Sequence, residues 1–114
     1  MAFNLKARAE KYEMVAHAFG VSVDGDSAMA NARRAIDAVV RLSIQVGTAQ
    51  SISQMGGGEE HISTAVEQAL TDPCMLSTPV PASRADIAEI YARALENQEL
   101  YPPEMAVTPA RSRL

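Results

Sequence analysis

The stretch SAMANARRAIDAVVRLSIQV, Ser27 to Val46, places apolar or small residues at Met29, Ala32, Ile36, Val39, Ser43 and Val46. Steps of three and four follow the helical period, with one small polar interruption at Ser43, and predict a single helix of about 30 Å at 1.5 Å per residue. Arg34, Asp37, Arg41 and Gln45 form an opposing polar stripe. Val40, Leu42 and Ile44 add apolar surface in the second half. A helix with so wide an apolar face is expected at the centre of a fold, covered on several sides.

The neighbouring segments supply the covering helices. A first helix is expected from Leu5 to Phe19, with Asn4 as N-cap and Gly20 in the left-handed position after the last turn. Its buried stripe is Leu5, Ala9, Tyr12, Val15, Ala16 and Phe19. VSVDGD is a turn, from which Asp26 or Ser27 caps the long helix. Ser51 to Met55 suits one helical turn, followed by a corner of three glycines, Gly56 to Gly58. Glu59 to Thr71 reads as a helix that buries Ile62, Val66, Ala69 and Leu70 and is stopped by Pro73. Ser83-Arg84-Ala85-Asp86 resembles a capping box and opens a last helix to about Glu96, with Ile87, Ile90, Tyr91, Ala94 and Leu95 facing inward. No strand is expected. The fold class is therefore all-α: a compact bundle of about four helices, plus a short helical turn, around one long central helix. Residues 1–97 form the helical domain, and residues 98–114, which hold three prolines and no periodicity, form an extended or disordered tail.

Composition narrows the function classes. With 114 residues the chain is one domain or part of one, and with only three Tyr and two Phe the core must be filled by aliphatic residues and Met. A net charge of −4, mixed in sign, argues against a nucleic-acid or anionic-membrane surface; the lone basic tip, Arg111 and Arg113, is too small for a nucleic-acid arm. One cysteine excludes an intrachain disulfide and suits the cytoplasm. No apolar run reaches membrane length, and the first residues lack a signal-peptide core.

Reactive groups are sparse. His17 and His61 fall on different helices, the first with Glu13 one turn before it and the second beside Glu59 and Glu60. Neither set has the ligand spacing of a metal site, and both histidines read as surface polar residues. The three glycines have no preceding strand and no following lysine, so they read as a helix–helix turn and not a phosphate cradle. Cys74 follows Asp72-Pro73 at a helix end and opens a proline-braced loop; it is either a small buried hydrophobe or the residue to watch.

Several segments together carry a resemblance: MAFNLKARAEKYEMVAHAFGVSVDG (1–25), AIDAVVRLSIQVG (35–47), SISQMGGGEEHI (51–62), ALTDPC (69–74) and ADIAEIYARAL (85–95). They resemble the C-terminal helical domain of the iron-dependent (group III) alcohol dehydrogenases, nearest to the lactaldehyde reductase (propanediol oxidoreductase) subgroup. Met1 to Asn4 look like the family's M-x-[FY]-N segment, which follows its last metal-binding histidine. The resemblance implies NAD(P)-linked oxidoreduction of small alcohols at a divalent metal, iron or zinc. It places the Gly-rich nucleotide turn and the Asp and His ligands of that metal upstream of Met1, so none maps onto this sequence. It also implies that Cys74 faces the cleft near the nicotinamide. The chain departs from the family's Asn-Pro-Arg, which appears here as Thr78-Pro79-Val80, and has Thr48 or Ala49 where the family has Pro after the long helix.

The resulting expectation is a truncated helical domain that is not catalytic alone, with no catalytic residue, no metal ligand and no cofactor held by this chain by itself. The alternatives are one half of a split oxidoreductase that works with a separate nucleotide-binding half, and a helical interaction module. For the last, apolar surface around Ile44 would pair two copies as a homodimer.

Overall fold

The structure is a computed structural model that describes residues 1–96; the expected tail, 98–114, lies outside the described residues. Four α-helices follow one another: α1 (Ala9–Phe19), α2 (Ala28–Gln45), α3 (Ile62–Thr71) and α4 (Arg84–Leu95). Short 3-10 turns at Ala2–Asn4, Glu59–His61 and Pro73–Ser77 complete the helical content, and no strand occurs among the described residues. The all-α bundle expected from the periodicity is the fold observed.

The long helix forms as its pattern requires. Ser27 caps α2, its Oγ accepting from the Ala30 N–H at 3.1 Å. Ala32, Ala35 and Ile36 are buried, and with Leu5 they form the core, flanked by Ala2, Ala9, Tyr12 and Met29. Alanines at the contact let α1 and α2 approach closely, and this pair makes the most extensive helix–helix contact among the described residues. The polar interruption in the stripe is resolved internally: Ser43 Oγ donates to the Val39 carbonyl at 2.9 Å. The cover expected on several sides of α2 extends to Val40 and leaves the last turn open. Leu42, Ile44 and Val46, in and just beyond the last turn, are 44%, 63% and 62% exposed.

The other pair is α3 with α4. Val66 and Ile87 are its buried side chains, and Arg84 on α4 forms an ion pair with Glu67 on α3. The expected capping box is present: Ser83 Oγ accepts from the Asp86 N–H at 3.2 Å, and Asp86 Oδ2 accepts from the Ser83 N–H at 2.8 Å. At the other end of α4 the last carbonyls are claimed by the linker after α2. The Ile52 and Ser53 N–H groups donate to the Ala94 and Leu95 carbonyls at 3.0 and 3.1 Å, and Ser53 Oγ donates to Glu96 Oε1 at 2.7 Å. Ser51 to Met55 does form one turn, closed by the Met55 N–H on the Ser51 carbonyl. Of the glycines after it, Gly56 takes a left-handed φ of 90°, and at Gly57 a Cβ would lie 2.3 Å from the Ile52 side chain.

Two sequence expectations are corrected. The first helix does not start at Leu5. The chain runs in 3-10 turns to Arg8, whose φ of −136° breaks it, and α1 begins at Ala9. Asn4 is not the N-cap, because its side chain is used elsewhere: Oδ1 accepts from the Val80 N–H at 3.2 Å. Long-range contacts thus override the local helix signal, as Leu5 enters the core and Asn4 reaches across the chain. Phe19, expected inside, is 41% exposed, since the helix ends at that residue and the chain turns away through Gly20 at φ 69°.

Candidate functional site

An open groove of about 780 Å³ lies where the two helix pairs meet the N-terminal segment. One wall is Met1, Ala2 and Phe3 with Ile36, Val39 and Val40 of α2. The facing wall is Ile87, Ile90 and Tyr91 of α4, with Met75, Thr78 and Val80 from the connection between α3 and α4. The hydrogen bond from Val80 to Asn4 ties the two walls together. Charged groups are few: Lys6, and Asp86, Glu89 and Arg93 on α4. Three of these are already engaged, Glu89 with Arg93 and Asp86 in the capping box. The lining therefore suits apolar side chains and not an ionised small ligand.

Its physical origin is simple. Ile36 and Ile87 are buried in the groove lining, but Ile90, expected to face inward and one turn from Ile87, is 43% exposed, and Met1 is 45% exposed. Helix contact is concentrated within the two pairs, α1 with α2 and α3 with α4, and the surface between the pairs stays open.

Neither histidine lies in this groove. His17 is exposed, its Nδ1 2.8 Å from Ser22 Oγ. His61 is exposed, its Nδ1 accepting from the Gly58 N–H at 3.0 Å and lying near Glu60. Among the described residues no three His, Cys, Asp or Glu side chains come together as a metal ion requires. The donor set present here therefore does not fit an iron or zinc site, and no metal-dependent step is routed through these residues.

Cys74 is exposed, so the reading of it as a buried hydrophobe is overturned. It stands in the 3-10 turn Pro73–Ser77, which Asp72 caps by accepting from the Cys74 N–H at 2.7 Å. That bond holds the Asp72 carboxyl below its ordinary value. In turn, hydrogen bonding to Asp72 and the charge of its carboxylate push the Cys74 thiol up. Cys74 is not one of the groove-lining residues, whereas its neighbour Met75 is. Thr78 and Val80, at which the chain departs from Asn-Pro-Arg, both line the groove.

One organising residue escaped the sequence reading. Asn31, buried in the first turns of α2, accepts from the Val23 N–H at 2.8 Å and from Arg34 at 2.8 Å, and donates to Glu13 at 2.9 Å and to the Val23 carbonyl at 3.2 Å. Arg34 also pairs with Asp26. The network fixes α1, the connecting loop and α2 in one arrangement. The signal was an asparagine, a poor helix former, set between alanines inside a helix.

Comparison with known proteins adds the family context. The profile described as Fe-containing alcohol dehydrogenase family, C-terminal, matches residues 1–95. The chain is similar to an NAD-dependent methanol dehydrogenase of Bacillus methanolicus, 38% identical over 94 residues, covering 82% of this chain and 25% of that protein. It is similar to a 1,3-propanediol dehydrogenase of Citrobacter freundii, 36% identical over 92 residues, 81% of this chain and 24% of that protein. A lactaldehyde reductase of Escherichia coli K12 is 33% identical over 94 residues, 82% of this chain and 25% of that protein. The chain spans about a quarter of the length of these relatives. No solved structure matches the chain significantly.

Proposed function

The chain belongs to the Fe-containing alcohol dehydrogenase family, as its C-terminal domain, and from that premise we propose that it serves as the helical wall of an NAD-linked oxidoreductase of small alcohols and aldehydes. Methanol, 1,3-propanediol and lactaldehyde, named for its relatives, define the substrate class. When bound, the family's divalent metal polarises the alcohol oxygen and NAD accepts the hydride. Those groups belong to the nucleotide-binding half. This chain supplies an apolar surface that packs on that half and excludes water from the cleft, with Cys74 near the nicotinamide.

The observation that carries this reading is the pairing of a family match over residues 1–95 with the lack of any metal-ligand cluster among the described residues. On this reading the helical domain has no turnover of its own, acts in the cytoplasm, and works packed on the family's nucleotide-binding half.

The test has two arms. Purified chain with NAD⁺, ferrous or zinc ions and 1,3-propanediol should give no rise in NADH absorbance; measurable turnover would overturn the non-catalytic assignment. Mixing it with the isolated nucleotide-binding half of the 1,3-propanediol dehydrogenase should give co-elution on a sizing column. Separate elution and no activity would remove the partner assignment.

A second reading, a self-associating interaction module, draws on the exposed apolar end of α2 at Leu42, Ile44 and Val46. It expects a homodimer at micromolar concentration, and a monomer by light scattering would eliminate it.

A further inference from the structure

Gly58 stands ahead of the 3-10 turn Glu59–His61 and has no side chain with which to cap it. Gly58 and His61 close on each other instead. The His61 N–H donates to the Gly58 carbonyl at 3.0 Å, and the Gly58 N–H donates to His61 Nδ1 at 3.0 Å. A ring nitrogen accepts only while it carries no proton, so this bond selects the neutral ring with its proton on Nε2. A second neighbour of the same nitrogen selects the opposite state. Glu60 Oε1 lies 3.4 Å from Nδ1, and a Cβ on Gly58 would run into the Glu60 carboxylate, which therefore sits over the corner beside the ring. A protonated Nδ1 must donate; it cannot face the Gly58 N–H, and it has Glu60 within reach.

The surroundings leave the imidazole as the group that changes. The linker from Gly47 to Gly58 carries no ionisable side chain. Glu59 lies in the same turn and shares with Arg84 the shallow cleft between α3 and α4. On those two helices Glu67 and Arg84 are already paired with each other. Histidine exchanges its proton between about pH 5 and 8, a range in which ordinary carboxylates and guanidinium groups keep their charge.

We propose that His61 is a proton-operated latch on the glycine corner that leads into α3. Neutral, its Nδ1 holds the Gly58 N–H; protonated, it turns to Glu60 and lets that N–H go. The release is local, because the Gly57 N–H remains on the Ile52 carbonyl at 2.9 Å and the Ile52 N–H on the Ala94 carbonyl at 3.0 Å. Neither of those bonds involves a titrating group. The latch therefore loosens the entry to α3 without parting the linker from α4, and it needs neither metal nor dinucleotide, so its failure is separate from failure of the oxidoreductase reading.

The test follows amide exchange and ring resonances by nuclear magnetic resonance in the full chain labelled with 15N and 13C. At pH 8 the His61 ring should be the Nε2–H tautomer. Between pH 8 and pH 5 the protection of the Gly58 amide, corrected for its intrinsic exchange rate, should fall severalfold along the same curve as the His61 ring. The Glu60 carboxyl carbon should move with it. Protection at Ile52 should stay unchanged, which separates release of the corner from loss of the fold. His61→Gln keeps an acceptor at the capping position but takes up no proton, so Gly58 protection should there be equal at both pH values. An Nδ1–H tautomer at pH 8, Gly58 protection that does not follow the ring, or the same fall in His61→Gln would overturn the proposal.

Discussion

The side chain of Asn4 accepts a hydrogen bond of 3.2 Å from the backbone N–H of Val80, 76 positions away in sequence. The bond joins the N-terminal segment to the connection between α3 and α4, at the point where both line the groove. Asn4→Ala leaves a partly buried N–H without its acceptor, at a cost of about 1–2 kcal/mol. Urea denaturation should show the midpoint fall without a change in slope. Amide exchange at Val80 should quicken more than at Ala32 in the core; equal acceleration at both would argue that Asn4 does not hold the two walls together.

Asn31 is the stronger case, because four hydrogen bonds converge on one buried side chain. Asn31→Leu keeps a side chain branched at Cγ but strands the Val23 N–H and carbonyl and frees Glu13. A loss of about 2–4 kcal/mol is expected, above that for a single neutral bond. A double-mutant cycle with Glu13→Gln should give a coupling of about 0.5 kcal/mol or more. Additive effects would mean that Glu13 and Asn31 act independently.

These two asparagines also mark the limit of what the sequence discloses. The helices followed from periodicity and from local chemistry: Ser27 caps α2, Ser83 and Asp86 form their box, and Gly20 takes the left-handed turn. Asn4 carried the same local signal and was read as a cap, but its partner is remote, and no pattern within one segment encodes that choice. The end of α1 and the end of α2 fail for a related reason. Phe19 and Val46 fit the apolar stripes, yet whether a stripe is covered depends on where the neighbouring helix stops. The groove was not legible either, since its lining comes from segments far apart in sequence, from Met1 to Arg93. The surface placement of His17 and His61 was legible, and both stand exposed on separate segments.

The capping box gives a pH-dependent prediction. Asp86 is held below its ordinary 3.8, first by the hydrogen bond from the Ser83 side chain and then by the Ser83 N–H. A carboxyl depressed in the folded state stabilises that state above its unfolded pKa, and the contribution disappears as pH falls through the lowered value. Asp86→Asn should therefore be less stable than the native chain at neutral pH, and the two should converge below pH 3.8. A gap that persists unchanged into strong acid would show that packing, and not charge, separates them. Ser83→Ala, which removes the cap itself, should cost about 1 kcal/mol at neutral pH.

Cys74 and Asp72 make the last prediction, and the chemistry separates charge from geometry. The thiol is exposed, so access does not limit its reactivity; the neighbouring carboxylate does, by disfavouring the thiolate. Asp72→Asn removes the charge but keeps an oxygen able to accept from the Cys74 N–H, so the 3-10 turn should persist. Alkylation by iodoacetamide, an uncharged reagent, should then run severalfold faster at pH 7.5, with the whole pH–rate curve displaced toward lower pH. Asp72→Ala removes charge and cap together and should add a loosened turn, read as faster amide exchange from Cys74 to Ser77. Superimposable pH–rate curves for the native chain and Asp72→Asn would mean that the carboxylate does not govern this thiol. In that case the slow reaction would have to arise from the turn, and only Asp72→Ala would accelerate it.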